Sequence, residues 1–135
     1  MQGADAQDTL VAQNNLALLL LDIDKAADAE PMLRGVVTAF EKSFEPTHWL
    51  ISAAKLNLGE CLRELRRFDE SERLALAAHE GLKSALGADH PRVSDAADNL
   101  ADLYRDWGKT DEETRWRPAV TPTSTAPATQ PDASG

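Results

Sequence analysis

Three asparagines, Asn15, Asn57 and Asn99, stand at one fixed step of 42 residues. A carboxamide offers two donors and an acceptor, so such a ladder can pair with the backbone of an extended peptide whatever its side chains. It can equally do no more than tie one helix to the next, and both readings stay open. Asp95, Asp98, Asp102 and Asp106 recur at helical spacing on one side of a segment. A run of that kind is a seat for a Lys or Arg of a ligand, although a solvated helix face is the commoner explanation. Covalent or metal chemistry would have to come from His48, His79, His90 and Cys61, with nearby carboxylates. These are scattered along the chain without metal-ligand spacing. His79-Glu80 lacks the second histidine four residues on that a zinc-protease helix needs. There is no Gly-rich phosphate loop, no Gly-x-Ser-x-Gly elbow and no Cys-x-x-Cys pair. The sequence therefore predicts no catalysis, no cofactor and no metal.

The elements that must position these residues repeat with the same step. Leu16, Leu58 and Leu100 stand 42 apart, as do Ala17, Gly59 and Ala101, and Leu20, Leu62 and Tyr104. A fixed period in this range is the mark of stacked supersecondary units. Such a stack offers a long shared surface rather than a pocket, so binding is the default expectation. Six helical stretches are expected, in three pairs, and nothing reads as a strand. The first runs from about Asp8 to Asp22, with Leu16, Leu19 and Leu20 on one face. The second runs from about Lys25 to Ser43, with Leu33, Val36, Val37 and Phe40 at helical spacing and Pro31 expected to bend it. The third covers about His48 to Glu64, with Thr47 as its N-cap. The fourth runs from Asp69 to Leu86 and stops at Gly87. The fifth follows Asp89, carries Pro91 in its first turn and ends near Trp107-Gly108. The sixth starts near Asp111 and is cut by Pro118. Asp24, Arg66 and Gly108 occupy one turn position. From Pro118 to Gly135 the composition turns to Pro, Thr, Ser and Ala, which predicts a flexible tail or linker.

The chain has 135 residues, enough for one domain, and 42% are apolar. Lys and Arg number 14 against 23 Asp and Glu, a net charge of -9. That balance disfavours a phosphate backbone or an anionic membrane surface and leaves basic or apolar protein partners open. The single cysteine permits no internal disulfide and fits a reducing compartment. The first residues carry no signal-peptide pattern, and the longest apolar run, Leu16 to Leu21, is far short of a membrane span. A soluble, cytoplasmic chain is the expectation.

With its Asn-Leu-Ala at 15–17, Asn-Leu-Gly at 57–59 and Asn-Leu-Ala at 99–101, the chain resembles a tetratricopeptide repeat protein. The 42-residue period is most similar to the longer repeat of kinesin light chains. Gly87-Ala88-Asp89-His90-Pro91 looks like that family's linker, and Asn99 to Tyr104 like its first helix. The resemblance implies an all-α solenoid of about three antiparallel helix hairpins over residues 1–117. The repeats would fall at about 5–46, 47–88 and 89–117, with a disordered tail at 118–135. Ala17, Gly59 and Ala101 match the small residue that lets two helices touch. Ser71 and Glu113 depart from the alanine usual in the second helix.

The resemblance also implies that the first helix of each pair lines a concave groove. Position by position, that groove would show Val11, Asn14, Asn15, Leu18, Leu21 and Asp22, then Ala53, Leu56, Asn57, Glu60, Arg63 and Glu64. The third repeat would add Asp95, Asp98, Asn99, Asp102, Arg105 and Asp106. Members that bind chaperones grip a terminal carboxylate with Lys, Arg and Asn, and Asp95 and Asp98 at the matching positions disfavour that ligand.

Among single residues, Cys61 aligns with Leu19 and Leu103 at expected core positions, as a small buried side chain rather than a nucleophile. His48 and His90 align at a turn and are expected to cap or pack there. Trp49, Trp107 and Trp116 are candidate partner anchors, the last two better placed to cover the end of the stack. Gly3-Ala4-Asp5 lies two periods before Gly87-Ala88-Asp89, which predicts that the chain opens inside a turn. On that reading it is the C-terminal piece of a longer array, similar to those fused to bacterial serine/threonine kinases. The expected function is a non-catalytic protein–protein interaction module that binds a partner segment in the groove. A regulatory or scaffolding region of a larger signalling protein is the alternative. Exposed repeat ends also allow self-association.

Overall fold

Each hairpin turns on one backbone conformation. Asp24 and Arg66 take φ of 63° and 64°, and Gly108 takes 82°. A single left-handed residue after a helix satisfies its last carbonyls and reverses the chain. The computed structural model describes residues 3–117, with side chains from residue 8 onward. Six helices follow one another: α1 Gly3–Asp22, α2 Ala26–Ser43, α3 Trp49–Glu64, α4 Phe68–Leu86, α5 Pro91–Trp107 and α6 Thr110–Trp116. The fold is an all-α solenoid, as expected. The region assigned to a disordered tail lies outside the described residues.

Every helix packs on the next, and α3 also touches both α1 and α5. The first helices of the hairpins therefore form a continuous inner layer. The second helices meet across the outside through long side chains, with Arg34 of α2 ion-paired to Glu70 of α4 at 2.9 Å. Ala17, Ala29, Leu33, Val36, Leu58, Cys61 and Leu62 share one buried cluster, and Leu100, Leu103 and Tyr104 share another with Ala75. Within the middle hairpin the backbones come close. A Cβ on Gly59 would lie 3.4 Å from the Ser71 carbonyl oxygen, and the buried Ser71 hydroxyl donates to the Gly59 carbonyl at 2.7 Å. The serine that departs from the family's alanine is thus satisfied by its partner helix.

Three expectations need correction. Thr47 does not cap α3; His48 does, its Nδ1 accepting from the Leu50 N–H at 3.1 Å, and His90 caps α5 through the Arg92 N–H at the same distance. An imidazole can reach the N–H two residues ahead, so it serves where Ser or Thr usually stands. Gly3-Ala4-Asp5 is helix rather than turn. Its later copy is opened by Gly87 at φ 96° and closed by the His90-Pro91 cap, and Ala6-Gln7 stands where that cap would be. Pro31 lies inside α2, as its sequence position predicts, at an exposed site. Leu16 and Leu19 are exposed although their counterparts one and two periods on are buried.

Candidate functional site

The inner faces of α1, α3 and α5 enclose a groove of about 440 Å³. Its lining combines apolar side chains with amides. Val11 and Leu18 come from α1, Trp49, Leu50, Ala53 and Leu56 from α3, and Phe40 and Leu82 reach in from the second helices. Asn14, Asn15, Asn57 and Asn99 line the same space with Arg92 and Asp95. All three ladder asparagines are there because the period returns them to one face of each first helix. Asn57 donates to the Asn14 side chain at 3.2 Å, so the middle rung also ties α3 to α1. At the rim the Arg92 guanidinium lies 4.5 Å from the centre of the Trp49 ring and bridges the starts of α5 and α3.

Nine residues expected in the groove line it: Val11, Asn14, Asn15, Leu18, Ala53, Leu56, Asn57, Asp95 and Asn99. Leu21 is instead buried in the core. Arg63, Glu64, Asp102 and Arg105 take part in a charged lattice beyond the groove. Arg63 is mostly buried and donates to Asp106 at 2.8 Å, clamping α3 to α5. Arg105 pairs with Asp102 and Asp106, and Arg117 with Asp102. Burial pushes the Asp106 carboxyl up, but the hydrogen bonds from Arg63 and Arg105 outweigh it and hold the group low. Half of the acidic row is thus neutralised from within. Asp95 and Asp98 keep carboxylates without an ion pair among the described residues, though the Asp98 carbonyl accepts from Arg117.

Glu60 is different in kind. It has no hydrogen bond or ion pair among the described residues, and burial pushes its carboxyl up. The Arg63 charge opposes that rise, and Glu64, Asp22 and Asp102 add to it. Its carboxyl therefore keeps a proton more readily than an ordinary glutamate does.

Sequence reasoning missed Phe40, Leu50, Leu82 and Arg92 as groove residues and had Trp49 only as a possible anchor. The first three read as core by their apolar spacing. Arg92 follows a proline at a helix start, and nothing local says that it leans over a tryptophan forty-odd positions earlier. Trp107 stacks on Phe68 at 5.6 Å, and Trp116 meets His79 edge-on at 4.8 Å, so both pack back on α4 and neither lines the groove. Among the described residues no three His, Cys, Asp or Glu side chains stand where they could share a metal ion, and no helix is long and apolar enough to cross a membrane.

Two family models, each described as tetratricopeptide repeat, match residues 9–50 and 50–115. Between them they span most of the chain, which belongs to the tetratricopeptide repeat family. A search of curated proteins finds no match. Repeats of this family generally mediate protein–protein interactions, and their domains are typically non-catalytic.

Proposed function

We propose that this chain is a non-catalytic interaction module that holds a segment of a partner protein in the groove between α1, α3 and α5. The observation that carries the reading is the composition of the groove. Trp49, Leu50 and Leu56 line the same groove as Asn15 and Asn99, whose side chains have no hydrogen bond among the described residues. That pairing suits a segment that buries one or two apolar side chains while its backbone bonds to carboxamides. The partner's charge is basic, because Asp95 lines the groove and, like Asp22 and Glu60, has no ion pair among the described residues, whereas Asp102 and Asp106 are already paired. The seat for a Lys or Arg therefore narrows from the Asp95-to-Asp106 row to its Asp95 end. The 42-residue period supports placing the repeats with the longer, kinesin-light-chain-like variant. A second reading, a scaffolding region of a larger signalling protein such as a bacterial serine/threonine kinase, draws support only from the uncovered apolar stripe on α1.

Selection of displayed random peptides against the whole chain tests the groove. Ala53→Arg fills the groove floor with a side chain that needs no core space, since Ala53 is only half-buried. Enriched peptides should share an apolar anchor next to Lys or Arg and lose binding to the Ala53→Arg chain. Peptides that bind both chains equally, or that share an acidic motif, overturn the proposal.

A further inference from the structure

Four of the five large apolar side chains exposed among the described residues, Val11, Leu16, Leu19 and Ile23, belong to α1 or the turn after it. Val11 faces the groove. The other three, with Ala12, form one helical stripe on the outer edge of the stack, with Leu16, Leu19 and Ile23 exposed by 45%, 56% and 55%. One period on, Ala54, Leu58 and Cys61 are 2%, 3% and 0% exposed; two periods on, Ala96, Leu100 and Leu103 are 0%, 0% and 1%. The stripe is the same in each repeat, and what differs is the cover. Over α3 lies α2: the Cys61 thiol donates to the Ala26 carbonyl at 3.2 Å, and Leu58 shares a cluster with Ala29 and Leu33. Over α5 lies α4, through Ala75 against Leu100 and Leu103 and Leu82 against Val93 and Ala96. Charge follows the same junction. Arg67, after α3, is ion-paired to Glu30 of α2. Lys25, one period earlier, has no ion pair among the described residues.

We propose that the Ala12, Leu16, Leu19 and Ile23 face docks an amphipathic helix of a protein partner built like α2 and α4. That helix carries apolar residues seven apart, as Leu33 and Phe40 or Ala75 and Leu82 are, small residues in its first turn, and a carboxylate placed for Lys25. The site continues an interface the molecule already makes twice, and it is distinct from the groove. A second copy fits it less well. In head-to-tail stacking the cover would be α6, where Thr110 and Glu113, with Arg117 just after it, occupy the positions of Ala26, Ala29 and Leu33, and α6 buries no residue. In head-to-head pairing two α1 helices would meet, and the first 24 residues hold four acids and no base.

The test uses the whole chain and, as probe, a synthetic peptide with the sequence of residues 25–46, stapled on its solvent face and shown to be helical by circular dichroism. Calorimetry should find one peptide bound per chain. Leu19→Glu, at an exposed position, should weaken binding about tenfold or more while thermal stability stays unchanged. Lys25→Glu should weaken it too, and a peptide carrying Glu30→Lys should restore it. Ala53→Arg in the groove should leave it unaltered. Absence of saturable binding, or equal binding to the Leu19→Glu chain, overturns the proposal. So does a concentration-dependent dimer in sedimentation that Leu19→Glu dissolves, because the face would then belong to a second copy.

Discussion

Burial at the junction of α2 and α3 sets the chemistry of Cys61. Its thiol is fully enclosed and bonded to a backbone carbonyl, and burial pushes it up to about 11. The thiolate is the reactive form, so the native protein should resist a maleimide at neutral pH and react promptly in concentrated urea, as mass spectrometry would record. Glu60 is the opposite case, a carboxylate held up by burial. A folded-state value above the ordinary 4.5 means that this group's contribution is fully present below the unfolded value and lost as pH rises through the folded one. Glu60→Gln should therefore raise the thermal midpoint at neutral pH, and the gain should vanish below the ordinary carboxylate range. A lower midpoint at neutral pH would mean that ionised Glu60 is stabilised by a partner. Gly81 is a packing residue: a Cβ there would lie 2.0 Å from Ser52 Oγ and 3.2 Å from Ser52 Cβ. Helix propensity favours alanine by about 1 kcal/mol, but overpacking costs about 1–3 kcal/mol. Gly81→Ala should destabilise the protein in chemical unfolding, and adding Ser52→Ala should recover most of the loss because the two sites touch.

At the scale of elements, the helices stop for reasons that differ from repeat to repeat although the geometry is one. Asp24, Arg66 and Gly108 all adopt positive φ, but only the last is glycine. A left-handed conformation costs an ordinary residue about 1 kcal/mol. Asp24→Gly should therefore stabilise the fold by up to about that amount, and Gly108→Ala should destabilise it by a similar amount. Both are read from urea midpoints with an unchanged slope. Arg66 is less easily replaced, since its guanidinium lies 4.8 Å from the centre of the Phe68 ring. The helix spans were legible because apolar spacing and breakers agreed at nearly every boundary. The two histidine caps were legible as aligned turn residues, but the donor they meet is a backbone N–H, which only the folded turn presents.

The whole molecule is a stack with unlike ends. The middle hairpin is covered on both sides, whereas α1 leaves an apolar stripe bare and α6 buries no residue. In a quasi-one-dimensional stack, stability is a sum over neighbours, so amide exchange should be slowest in α3 and α4 and fastest in α6 and α1. Uniform protection along the chain would mean that the six helices open only together. The 42-residue period, the six helices, the shared turn position, the buried cysteine and the return of the asparagines to one face were determined by the sequence alone. Each follows from a pattern local to one helix or repeated between helices. Only the tertiary structure decided which copies of a repeated position are covered and which acids are already paired. Leu16 and Leu58 are the same residue in the same register, and their burial differs because burial is set by the neighbouring helix. Asp95 and Asp106 likewise belong to one row, and Arg63, two turns of chain and a whole hairpin away in sequence, neutralises only the second.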